Sequence, residues 1–376
     1  MARLSDRLDA LLYLTLATVL GAQLYAQSSR SPEVSEESNL KAQLGQKAPQ
    51  WLKQDDVPSV AIAYIENGKV AWTAVYGEQS PGVPATGKTL YNVASLTKPI
   101  SAEVILRLAS VGKLSLDERI SASWIDPDVK DNPWNRLLTP RLCLSHQTGF
   151  PNWRYQTNGV LKFQWEPGTS TGYSGEGYDY VARFAKKKLG RSFEDLAKEY
   201  VFDPIGMKNT AYSPRDWYVG RVAVAQGPRG EAKPATQSTW NAADLLRTTI
   251  GDYANFVVSV IHKDGLRNEI ATEQVTSTRN LASREKLEQL CAEAKVSSPS
   301  DCKGTAGMGL GWEVLVLNGE TIIDHSGSDW GVHTLAFFLP QRQFGMVVFT
   351  NGDNGEKVIK EIVSLAYHNP LFIATL

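Results

Sequence analysis

Ser95 and Lys98 lie three residues apart in Tyr91-Asn92-Val93-Ala94-Ser95-Leu96-Thr97-Lys98-Pro99, a spacing that sets a hydroxyl and an amine on one face of a helix. A serine hydroxyl is a poor nucleophile until a neighbouring base takes its proton, so this pair points to acyl transfer through a covalent intermediate. A serine at a helix start also meets unpaired backbone N–H groups and the positive end of the helix dipole, which favour developing negative charge.

The S-x-x-K pattern alone is a weak signal, because the chain repeats it at Ser38/Lys41, Ser110/Lys113, Ser283/Lys286 and Ser300/Lys303. Context separates them. Ser38 falls in a polar linker, Ser110 near a helix end, and Ser283 and Ser300 in a charge-rich stretch. Ser95 is followed by Ile100, Val104, Leu108 and Val111 at helical spacing, with Gly112 as the stop and Pro99 in the first turn, where a missing N–H costs little. The plainer reading is a serine N-cap with a solvated lysine nearby.

The elements that must position this pair come from a chain of 376 residues, long enough for a large core. Thirty-nine Lys and Arg against forty Asp and Glu give a net charge of -1. With no long basic run, nucleic acid is not an expected partner. Five His and three Cys contain no H-E-x-x-H and no C-x-x-C, so no metal site and no cofactor is expected.

Residues 1–26 carry Arg3 and Arg7, an apolar run from Ala10 to Ala22, then Leu24-Tyr25-Ala26 before Gln27, the pattern of a secretory signal peptide or, if uncleaved, an N-terminal membrane anchor. A periplasmic or secreted protein is expected. In that oxidising setting Cys291 and Cys302 could close a small loop, worth about 3 kcal/mol, although sequence leaves the pairing open. Cys143 lies in an apolar segment and is expected as a buried thiol.

Residues 27–38 form a Ser/Glu-rich linker, and 39–376 the folded domain. A helix is expected near Leu40 to Leu52, then strands Val60 to Ile65 and Val70 to Tyr76 joined by Asn67-Gly68. Trp312 to Leu317 and Thr321 to His325 repeat the device around Asn318-Gly319, followed by strands Thr334 to Leu339 and Phe344 to Thr350 and a helix from about Glu356 to Tyr367. Between them the chain is mainly helical, for example at Gly177 to Lys188 and Phe193 to Val201. The expected fold is α+β: an antiparallel sheet from N- and C-terminal strands (39–90 and 305–376), flanked by terminal helices, with a large helical part (91–304) inserted. The chemistry is expected in the cleft between the parts.

The ordered blocks resemble the serine β-lactamase-like superfamily of class C β-lactamases, D-Ala-D-Ala carboxypeptidases and family VIII esterases. Asn92 to Lys98 with Leu108 to Asp117, Leu144-Ser145-His146-Gln147-Thr148-Gly149-Phe150, Tyr173 to Tyr178, Phe202-Asp203-Pro204-Ile205-Gly206-Met207, Gly309 to Trp312 and His325-Ser326-Gly327-Ser328 carry the likeness. The resemblance implies a β-lactamase/transpeptidase-like fold and a serine hydrolase acting on a small ester, amide or peptide. Ser95 would attack, Lys98 and Tyr173 would share its proton, and the backbone N–H groups of Ser95 and Ser328 would form the oxyanion hole. His325, Gly327 and Gly175 would border the substrate, and His146 would have a structural hydrogen-bonding role. An ammonium beside a phenol favours phenolate, so Tyr173 is expected to come down toward neutral pH as Lys98 does.

Two positions depart from the family's usual Y-x-N and K-T-G, namely Tyr173-Ser174-Gly175 and His325-Ser326-Gly327. Gly175 removes an amide, and His325 replaces a fixed cation with an imidazole that is largely neutral at pH 7. Esters or small amides are therefore expected ahead of β-lactams. Two rivals stand beside this reading. One is an α/β-hydrolase using Gly172-Tyr173-Ser174-Gly175-Glu176-Gly177, one residue short of G-x-S-x-G. The other is a catalytically weak acyl-trapping or binding protein of the same fold.

Overall fold

The computed structural model describes residues 37–233, 240–281, 283–296 and 302–376. The expected leader and all but the last two residues of the expected linker lie outside these. Among the described residues no helix is long and apolar enough to cross a membrane.

Helix α1 (Glu37–Gln54) leads into strands β1 (Ser59–Glu66), β2 (Lys69–Ser80) and β3 (Val83–Pro84). The short strands β4 (Tyr91–Asn92), β5 (Ala225–Gln226), β6 (Ala232–Lys233) and β7 (Arg247–Thr248) lie outside the main sheet. The chain then returns through β8 (Gly304–Met308), β9 (Glu313–Leu317), β10 (Glu320–Asp329), β11 (Val332–Leu339) and β12 (Phe344–Thr350). Together they make an eight-stranded sheet in the order β3-β2-β1-β12-β11-β10-β9-β8, antiparallel at every step, so the two ends of the chain build one sheet as expected.

Both Asn-Gly turns form. Asn67 and Gly68 have φ of 51° and 68°, and Asn318 and Gly319 have 52° and 85°, the left-handed pair that a two-residue hairpin requires. Strand alternation then sorts the core into two layers. On β1, Ala61, Ala63 and Ile65 face the helical part, while Val60, Ile62 and Tyr64 face the terminal helices. Helix α1 covers that second face with Leu40, Leu44 and Ala48 at four-residue spacing. The long central helices are α2 (Thr97–Ser110), α3 (Gly175–Leu189), α4 (Ile250–His262) and α5 (Arg284–Glu293), and the chain ends in α6 (Gly355–Ala366) and α7 (Pro370–Thr375). Helix α7 escapes the sequence reading, although Asn369 caps it by accepting from the Phe372 N–H and Pro370 opens it. The helix expected over Phe193 to Val201 is α-helical to Ala197 and then widens into a π-turn, Lys198–Phe202.

Two features bear on the site. Strand β10 runs past the expected end at His325, and its register with β9 stops at Asp324 while that with β11 continues to Asp329. Cys291 and Cys302 form a disulfide fastening α5 to the approach to β8, and Cys143 is a buried thiol.

Candidate active site

Ser95 sits in a 3-10 turn, Ala94–Leu96, immediately before α2, with Lys98 in the first turn of that helix. The turn is held from both sides. Asn92 Oδ1 accepts from the Ala94 N–H, and Thr97 Oγ1 donates to Ala94 O while accepting from the Leu246 N–H. Ala94 has φ of 46°, a left-handed conformation costing an alanine about 1 kcal/mol or more, and it turns the chain sharply ahead of the serine.

Lys98 is fully buried, and its Nζ donates to Ser95 Oγ at 2.9 Å and to Ala243 O at 2.9 Å. Burial lowers its pKa to about 8 against the opposing pull of Asp244 and Asp179. Asp179 is raised to about 6 by its own burial and accepts from the Ala242 N–H, which helps fix the segment that holds the amine. This segment, Asn241 to Asp244, is absent from the sequence reading, because its contribution is a backbone carbonyl that no residue type advertises.

The Tyr173 ring centroid lies 4.7 Å from Lys98 Nζ, and the nearby Ser95 side chain partly offsets the pull of burial on its phenol. The phenolate expectation is corrected: burial pushes the Tyr173 phenol well up, so it is held protonated. His146 stacks on the Tyr173 ring with centroids 4.4 Å apart. Its Nδ1 accepts from the Ser174 N–H at 3.0 Å, and burial keeps the imidazole neutral. Ser174 Oγ donates to Pro151 O and accepts from the Gly177 N–H, capping α3. Buried and doubly bonded, it cannot serve as the exposed serine that the G-x-S-x-G rival needs.

Strand β10 forms the opposite wall. His325 is buried, Nδ1 donates to Ser326 O at 2.6 Å, and Nε2 is left as a buried acceptor with no partner. Burial, then the Lys98 charge, hold its pKa down to about 3, so it is neutral at any working pH. A Cβ on Gly327 would come within 2.5 Å of Val93 O and 3.0 Å of the Ser95 N, so glycine lets β10 press against the serine turn. Thr334 Oγ1 donates to Val93 O at 2.9 Å and ties β11 to the same turn. Ser328 follows on β10.

Trp153 was not among the sequence candidates. A Cβ on Gly175 would stand 2.6 Å from its indole, whose centroid is 5.8 Å from Lys98 Nζ. Its loop is anchored to the start of α3: Asn152 Oδ1 accepts from the Gly175 N–H, Asn152 O accepts from the Glu176 N–H, and Arg154 pairs with Glu176 at 2.7 Å. A lone tryptophan between two motif blocks carries no spacing signal.

The remaining S-x-x-K serines have other duties. Ser283 caps α5 and Ser110 accepts from the Arg267 N–H, while Ser300 and the Ser38 side chain lie outside the description. Among the described residues no group of three or more His, Cys, Asp or Glu could hold a metal.

The chain is similar to Protein flp of Staphylococcus aureus (strain MW2), 21% identical over 322 residues that cover 80% of this chain and 61% of that protein. It thus spans about three fifths of that relative's length. It is 24% identical over 347 residues to the D-alanyl-D-alanine-carboxypeptidase/endopeptidase AmpH of Escherichia coli (strain K12), covering 84% of this chain and 86% of AmpH. Among solved structures it shares the fold of the octameric penicillin-binding protein homologue from Pyrococcus abyssi, with a TM-score of 0.69 at 20% identity over 88% of this chain and 77% of that one. The D-alanine carboxypeptidase AmpC from Burkholderia cenocepacia gives a TM-score of 0.68 at 20% identity, covering 88% and 99%. The family model described as Beta-lactamase matches residues 41–366, and the chain belongs to that family, whose chemistry is acyl transfer through a serine.

Proposed function

We propose that this chain is a serine hydrolase that cleaves small esters, and secondarily amides, through an acyl-enzyme on Ser95. The observation that carries the reading is the 2.9 Å contact between Lys98 Nζ and Ser95 Oγ. Neutral Lys98 takes the Ser95 proton as Oγ bonds to the acyl carbon. The carbonyl electron pair moves to an oxyanion held by the Ser95 and Ser328 N–H groups, each worth about 3 kcal/mol in the transition state. The protonated amine returns its proton through the Tyr173 hydroxyl to the departing alkoxide as the C–O bond breaks. Water then attacks the acyl carbon, giving its proton to the same pair, and the acid leaves as Ser95 is restored.

The substrate preference rests on Trp153 and His325. The indole occupies the space that an amide-bearing side chain at position 175 would need, and His325 presents an acceptor in place of a cation. A substrate carboxylate finds no fixed positive charge from His325, whereas an uncharged ester loses nothing. Export, expected from residues 1–26, fits the Cys291–Cys302 disulfide.

The test is an assay of a p-nitrophenyl ester, a D-Ala-D-Ala peptide and a chromogenic cephalosporin, each with wild type and Ser95→Ala. Ester turnover lost in Ser95→Ala supports the reading. Faster cephalosporin turnover would overturn the preference, and acylation without turnover would make the chain an acyl trap.

A further inference from the structure

Behind β10, on the face away from His325, lies a second recess. Alternation turns His325 toward the helical part and Asp324 and Ser326 toward the layer of terminal helices. A cleft of about 650 Å³ opens there between the sheet, α5 and the end of α7. Leu287 and Leu290 of α5, Leu315 of β9 and Ile359 of α6 give it apolar walls. The disulfide at Cys291 holds α5 in place as a roof.

Its floor is unusual. Asp324 and Glu313 are cross-strand partners on β10 and β9, so both carboxyls share this face. Asp324 is only 7% exposed, and its Oδ1 is buried with no hydrogen-bond partner. Such an atom is costly to leave unpaired, and more so if charged, unless a donor reaches it. Burial, then Glu313, hold the Asp324 carboxyl well above the usual range. Glu313 is also raised by burial, and Lys286 on α5 partly offsets this. Glu293, His333 and Glu356 complete the charged and titratable lining.

Lys286 stands near Glu313, yet no donor reaches Asp324 Oδ1, and an added cation would offset the burial of the two carboxyls. The apolar walls suit an organic cation better than a hydrated metal ion. We propose that this cleft binds an organic ammonium ion with an aliphatic arm, its N–H groups donating to Asp324 and Glu313 and its arm lying along Leu287, Leu290 and Leu315. The site does not depend on the catalytic reading of Ser95.

Isothermal titration of the full chain with n-hexylammonium chloride tests it, with 1-hexanol and calcium chloride as controls. One-to-one binding of hexylammonium is expected, weakened about tenfold or more in Asp324→Asn, the size of one lost charge-assisted contact. Asp324→Asn removes a buried acid and keeps the shape, and Leu290→Trp, which fills the cleft, is expected to abolish binding with the circular dichroism spectrum unchanged. Ser95→Ala should bind as wild type does. No hexylammonium binding, equal binding by hexanol, tighter binding by calcium, retention in both Asp324→Asn and Leu290→Trp, or loss in Ser95→Ala would each overturn the proposal.

Discussion

The indole of Trp153 fills the place a side chain at Gly175 would occupy: a Cβ there would meet three of its ring carbons at 2.6 to 2.9 Å. The two positions are therefore coupled. Gly175→Asn is expected to lower stability by about 1–3 kcal/mol through overpacking and to reduce ester turnover as the indole shifts. Adding Trp153→Ala should recover most of that loss. A double-mutant cycle by thermal denaturation checks this, and additive effects would mean that the two side chains do not share the space.

The pH profile follows from Lys98. It acts as base only when neutral, so ester kcat/KM should rise with pH through a midpoint near its pKa of about 8 and then level off. His325, held near 3, should add no limb between pH 5 and 7. Lys98→Met should remove the rise together with most of the rate. A flat profile across pH 6 to 9 would show that another group accepts the proton.

Tyr173 and His146 should separate kinetically. Tyr173→Phe deletes the proton carrier and is expected to lower kcat by about 100- to 10,000-fold with KM little changed. His146→Asn removes the imidazole that stacks on the Tyr173 ring, so it should lower kcat less and leave the pH midpoint in place. Equal losses in both would argue that His146 handles a proton itself.

Much of this site was legible in sequence because its parts announce themselves locally. Ser95 with Lys98 and the two Asn-Gly hairpins rest on a spacing or a turn preference spanning a few residues, and the β10 run His325-Ser326-Gly327-Ser328 stands out through its resemblance to a family block. What stayed hidden depends on contacts between distant segments. Ala243 offers a carbonyl from 145 positions away, and Trp153 is defined by the glycine it covers. The protonation of Tyr173 was misjudged for the same reason, since charge proximity can be guessed from motifs but depth of burial cannot.

The helical part has its own keystone. Arg107 and Glu103 pair on α2 at 2.7 Å with side chains 6% and 1% exposed, and Gln274, Ser259 and two backbone carbonyls complete their bonds. Glu103→Ala would strand the guanidinium and is expected to cost about 3–5 kcal/mol. Chemical denaturation would measure it, and a loss under 1 kcal/mol would mean that water reaches Arg107.

The most direct test of the account is intact-mass spectrometry after treatment with a fluorophosphonate, followed by peptide mapping. One adduct is expected, on the peptide containing Ser95, and none in Ser95→Ala at the same dose. An adduct on any other residue, or undiminished labelling of Ser95→Ala, would contradict it.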